Sequence, residues 1–95
     1  MNISSNLNVV TTEGNIKTIA DFNDIKNNVG AVALKHNSIV VDVKNSLSLT
    51  SAVIGYFTKL ALKDKIRMQV NVGDGRLYEL LDDLCLVSVF NLKKI

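Results

Sequence analysis

The chain predicts an α/β fold, a mostly parallel or mixed sheet of four to five strands carrying about three helices. Three observations lead there. From Ala20 onward, segments with apolar residues three and four apart alternate with short β-branched runs, the order that right-handed strand–helix–strand crossovers require. Two of those runs, SIVVDV (Ser38 to Val43) and RMQVNV (Arg67 to Val72), have the length and composition of strands. The 95 residues are 47% hydrophobic, 21% charged and free of proline, which describes a single domain with a core of its own and not a disordered segment.

Taken in order, Leu7 to Thr12 and Asn15 to Ile19 are β-rich and separated by the Gly-containing turn EGN, so they are expected to pair. Phe22, Ile25, Val29, Val32 and Ala33 then form one face of an amphipathic helix from Ala20 to about Lys35, with Asp21 or Asn23 as its N-cap. SIVVDV is nearly continuous in β-branched residues, the pattern of a central strand covered on both faces by helices. A second helix runs from Ala52 to about Leu62, with Val53, Phe57, Leu60 and Ala61 inward and Thr58 and Lys59 outward. After RMQVNV, Gly73-Asp74-Gly75 breaks the strand. Leu77, Leu80, Leu81 and Leu84 mark a third helix with Glu79, Asp82 and Asp83 outside, and VSVFNLKKI is expected as a closing strand.

Several function classes drop out. The net charge of +2 comes from scattered lysines without a basic block or interleaved aromatics, so nucleic acid is not an expected partner. The one cysteine, Cys85, permits no intramolecular disulfide, reads as a small core residue beside the leucine face, and suits a reducing compartment. No secretory signal pattern and no apolar run of the ~20 residues a span requires are present, so the expectation is cytoplasmic, without membrane insertion. His36 has no second ligand at metal spacing and reads as a solvent-exposed loop residue. Asp82 and Asp83 diverge as neighbours on a helix, and no nucleophile, base and orienter converge. The expectation is a non-enzyme with no metal and no cofactor. Val9 and Val10 either pack on the first helix or pair edge to edge, giving a monomer or weak homodimer.

The segment SLSLTSAVIGYF (Ser46 to Phe57) places Thr50 and Ser51 where a strand hands over to a helix. A hydroxyl there caps the helix, which is worth about 1 kcal/mol relative to alanine. The same place tolerates a phosphate, because the positive end of the helix dipole offsets its charge. Beyond Ser51, Gly55 and Thr58 are expected on the exposed side of the helix and Tyr56 at its edge. The loop Gly73, Asp74, Gly75 and Arg76 should lie at the same edge of the sheet, with Asp74 capping the third helix.

In this region the chain resembles the STAS domains, typified by the anti-sigma factor antagonists of bacterial partner-switching systems. Their signature is a strand ending in Asp, a short loop, then Asp-Ser-Ser-Gly-Leu-Gly opening a helix. Laid without gaps from Asp42, it falls on Thr50, Ser51, Ala52, Val53, Ile54 and Gly55, matching the second glycine at Gly55 and the apolar position at Ile54. VNVGDGRLYELL is similar to the family's next strand, turn and helix, and Leu86, Val89 and Phe90 fit its closing pattern. Thr50 stands where the family has an acidic residue, Val53 replaces its first glycine, and a charged turn KDK replaces a glycine pair. The resemblance spans about Ile39 to Leu92 and implies a single STAS-like domain over residues 1–95. It implies a non-enzymatic regulatory domain that binds a protein partner, of the anti-sigma kinase type, through the helix start near Ser51. Phosphorylation of Ser51, or of Thr50 under a one-residue shift, would release the partner. The alternative it implies is a constitutive subunit of an ABC-type lipid transporter, bound to the ATPase without phosphorylation. Nucleotide binding at the sheet edge is a third reading, for which no residue reads base or phosphate.

Overall fold

The computed structural model describes residues 1–95. Five strands lie in the order β1 (Asn2–Asn6), β2 (Val9–Glu13), β3 (Ser38–Lys44), β4 (Arg67–Val72) and β5 (Lys93–Lys94). β1 and β2 form an antiparallel hairpin, and every later pairing is parallel. The helices α1 (Ile19–Ala33), α2 (Ser51–Thr58) and α3 (Gly75–Asp83) each connect one parallel strand to the next. The mixed sheet with three helices is the fold class read from the sequence.

Each strand lies beside its predecessor, so crossovers of one hand put all three helices on one face of the sheet. Burial follows this geometry. Val10 and Thr12, Ile39, Val41 and Val43, and Met68, Val70 and Val72 point to the helices and are buried. They pack with Ile25, Val29 and Val32 of α1, Val53 and Phe57 of α2, Leu77 and Leu81 of α3, and Phe90. The alternate residues Val9, Thr11, Val40, Asp42, Gln69 and Asn71 form an uncovered second face. It carries a polar chain in which Gln69 donates to Asn71 at 2.9 Å and Asn71 to Asp42 at 2.7 Å. The central strand is therefore covered on one face, not two; β-branched residues favour a pleated strand whether or not a helix lies above them.

The N-terminal hairpin is shifted from its expected place. Its turn is Leu7-Asn8, with Leu7 at φ 55, and the expected second strand, Asn15 to Ile19, is instead a loop over Asn15 to Thr18 with Ile19 opening α1. Gly14, at φ 93, ends β2 without starting a hairpin, and its N–H bonds the Lys44 carbonyl of β3 at 3.1 Å. Val9 and Val10 thus lie in an inner strand, and β1 forms the sheet edge, which removes the edge-to-edge role considered for them.

Thr18, not Asp21 or Asn23, caps α1. Its hydroxyl accepts the Asp21 N–H at 3.1 Å while the Asp21 carboxylate accepts the N–H groups of Lys17 and Thr18 at 2.9 and 3.2 Å, a capping box. α2 continues as one π-helical turn, Lys59–Lys63, closed by the Asp64 N–H on the Lys59 carbonyl. α3 ends in a Schellman motif: Leu86 N–H bonds the Leu81 carbonyl and Cys85 N–H the Asp82 carbonyl, both at 2.9 Å. Cys85 takes the left-handed position at φ 61. That turn swings Cys85 out to solvent and leaves Leu84 exposed, so the cysteine is not the core residue its apolar neighbours implied; Leu80 is at the exposed margin as well. Of the expected closing strand only Lys93–Lys94 pairs, because turns occupy the stretch before it while Phe90 and Leu92 are buried.

Candidate functional site

The parallel strands finish at one end of the molecule, where the helices begin. The handover from β3 to α2 is built there. After Lys44, Asn45 turns the chain at φ 62, a conformation asparagine accepts more readily than most residues. Ser46 is then buried: its hydroxyl accepts the Ile16 N–H at 3.1 Å and donates to the Ser48 carbonyl at 2.7 Å. Leu47 N–H donates to the Asn15 side-chain oxygen at 3.0 Å. These bonds tie the β2–α1 loop to the β3–α2 loop. Leu49 is buried as the second anchor, while Leu47 is 44% exposed. The segment thus buries a serine and displays a leucine, the reverse of what polarity alone dictates.

Thr50 and Ser51 differ in role. Thr50 is the N-cap, half-buried, and its hydroxyl accepts the Val53 N–H at 3.2 Å. Ser51 is the first residue of α2, exposed, and its hydroxyl makes no hydrogen bond within the chain. No acidic residue occupies the first turn of α2. Ile19, the first residue of α1 and 79% exposed, lies at the same end of the molecule. Asn15, Ser46, Leu47 and Ile19 were not singled out from the sequence. The signal in reach was the Ser-Leu-Ser-Leu alternation, whose phase the sequence leaves undetermined.

Gly55 is exposed, and a Cβ there would meet nothing within 4 Å, so close packing on the sheet is not the reason for this glycine. Tyr56 and Thr58 do not belong to the same open surface. Tyr56 is half-buried between α2 and α1, its ring edge-on to Phe22, and its phenol is pushed above the usual 10.0 first by burial and then by the charge of Asp64. Thr58 is also half-buried and donates to the Ile54 carbonyl at 2.7 Å, satisfying its hydroxyl on its own helix.

The loop Gly73 to Arg76 does lie at this end. Gly73 N–H bonds the Val43 carbonyl at 2.9 Å, beside the turn that leads to Thr50. Asp74 caps α3 as expected, accepting the Arg76 N–H at 2.8 Å. Its two oxygens also take the Arg76 guanidinium at 3.2 and 3.1 Å, and this side-chain bond is the main cause holding the Asp74 carboxyl below its ordinary 3.8. Arg76 is therefore engaged within its own loop. No hydrogen bond joins this loop to Ser51. No group of three or more His, Cys, Asp or Glu side chains comes together to hold a metal ion, and His36 is in the α1–β3 connection but half-buried there, not fully exposed as expected. No family model matches the chain, and neither a curated protein nor a solved structure shows a significant likeness to it.

Proposed function

We propose that this chain is a protein-interaction domain whose contact surface is the start of α2 with the loops beside it. The observation that carries the reading is the inversion at the β3–α2 handover. Ser46 is buried and hydrogen-bonded so that Leu47 faces solvent in the loop that leads to Ser51, whose own hydroxyl is unengaged. Displaying a leucine there has a use when a partner covers it. Exposed Ile19 and the bare helix surface at Gly55 extend the area and permit close approach.

The resemblance to anti-sigma factor antagonists adds the control. A phosphate on Ser51 sits at the positive end of α2, where the fold tolerates it, and it leaves the Thr50 cap in place. In an interface containing Leu47, however, its charge of nearly two must be stripped of water or face acidic groups, at a cost of several kcal/mol. The unmodified domain binds a partner of the anti-sigma kinase type, the modified domain lets it go, and the domain itself catalyses nothing. Phosphorylation by a kinase encoded nearby should label the chain and spare Ser51→Ala, and Ser51→Asp should lose partner capture. Unchanged affinity of Ser51→Asp for the captured partner would rule out the switch.

A constitutive subunit bound to the ATPase of an ABC-type lipid transporter is the second reading. The first turn of α2 favours it, since no acidic residue precedes or follows Ser51 there. Co-purification with such an ATPase, at the same yield for Ser51→Ala and Ser51→Asp, selects this reading over the first.

A further inference from the structure

We propose that the end of the molecule opposite Ser51 docks peripherally on an anionic lipid surface. At this end the parallel strands start and α1 and α2 finish. Three of the connections found there are tied side by side: Asn8 donates to the Ser38 carbonyl at 3.2 Å, its own carbonyl accepts the Val40 N–H at 2.9 Å, and Arg67 N–H bonds the Asn37 carbonyl at 2.9 Å. Each of these three displays a leucine. Leu34 at the end of α1 is 89% exposed, Leu7 in the hairpin turn 79%, and Leu62 in the π-helical turn 57%. Single exposed leucines are ordinary, but three on adjacent connections at one end form a pattern.

The charges at this end point to the nature of the partner. Lys35 follows Leu34, and Lys63, Lys65 and Arg67 follow Leu62, all exposed. The acid among them, Asp64, is paired with Lys59 at 3.6 Å. Asp82 and Asp83, exposed at the end of α3, bound the patch on the β5 side, so the contact centres on the ends of α1 and α2. His36 lies half-buried just after the end of α1. Leucine tips, two of them with a lysine immediately beside them, match a bilayer better than a protein surface. The tips enter the acyl boundary while the ammonium groups stay at the anionic headgroups, whereas a dry protein interface would have to desolvate those lysines. Arg67 also lines a hollow of about 280 Å³ along the first residues of β3 and β4. Docked this way, the molecule presents the Ser51 end to solution, so the two surfaces act independently.

Sedimentation of the full chain with vesicles tests the proposal. Wild type should pellet with phosphatidylglycerol vesicles at low salt and stay in the supernatant with pure phosphatidylcholine. Leu34→Ser/Leu62→Ser and Lys63→Glu/Lys65→Glu should each weaken partitioning about tenfold or more, with circular dichroism unchanged, while Ser51→Asp binds as wild type does. No pelleting of wild type with phosphatidylglycerol overturns the proposal. Binding that survives both double substitutions overturns it too. If only the lysine substitutions matter and heparin competes as well as vesicles do, the surface reads polyanions in general and lipid docking is likewise excluded.

Discussion

The Thr50 hydroxyl oxygen accepts the Val53 N–H, while the hydroxyl of Ser51 next to it faces solvent. The sequence places both at a helix start but does not say which one caps, because a one-residue change of helix phase exchanges their roles. The structure settles it through Leu49: once that side chain is buried, the next residue has the extended backbone of an N-cap. Thr50→Ala should therefore lose about 1 kcal/mol in urea unfolding, and Ser51→Ala should stay within about 0.5 kcal/mol of wild type. Equal losses would mean that the two residues share the cap. Asp74 was legible as a cap because Asp between two glycines after a strand has few other uses, whereas Thr18 was obscured by Asp21, which supports the cap from the third helical position.

Among the elements, the parallel strands and helices from Ser38 to Asp83 were the most legible, and β4 occupies the residues expected of it. Local periodicity is strong there. It fails at the ends of the chain, where long-range pairing decides: the hairpin turn lies at Leu7-Asn8 because that register sets Val10 and Thr12 against the helices. The end of α3 was misread because no glycine announces it. Cys85 occupies a left-handed position that favours glycine, and an L side chain there costs about 1–2 kcal/mol. Cys85→Gly buries and exposes nothing new, since the thiol is already exposed. After the greater freedom of glycine in the unfolded chain is deducted, it should stabilise the protein by up to about 1 kcal/mol, seen as a higher urea midpoint at unchanged slope. A lower midpoint would show that the thiol makes an interaction in solution that offsets the strain.

For the whole molecule, the two ends of the sheet carry different surfaces. At the strand-finish end, Asp21 and Asp74 serve helix starts. The carboxyl of Asp21 is held below its ordinary 3.8 mainly by the backbone N–H groups of Lys17 and Thr18, and that of Asp74 mainly by Arg76. Groups whose pKa is lowered by folding contribute stability that is complete above the unfolded value and disappears as pH falls through the folded one. Thermal stability should thus decline below about pH 4, and Asp21→Asn/Asp74→Asn should show a shallower decline than wild type over that range. Parallel acid profiles for the two proteins would remove these carboxylates as the cause. No helix is long and apolar enough to cross a membrane.

The sequence by itself determined the order and type of the central elements and the hydroxyl-bearing handover to α2, since these follow from periodicity and from residues adjacent along the chain. Only the tertiary structure decided that the helices share one face of the sheet, that Ser46 is buried while Leu47 is displayed, and that Leu7, Leu34 and Leu62 lie at one end. Each of these depends on which strand lies beside which. Pairing of that kind joins residues about thirty positions apart, beyond the reach of any local pattern.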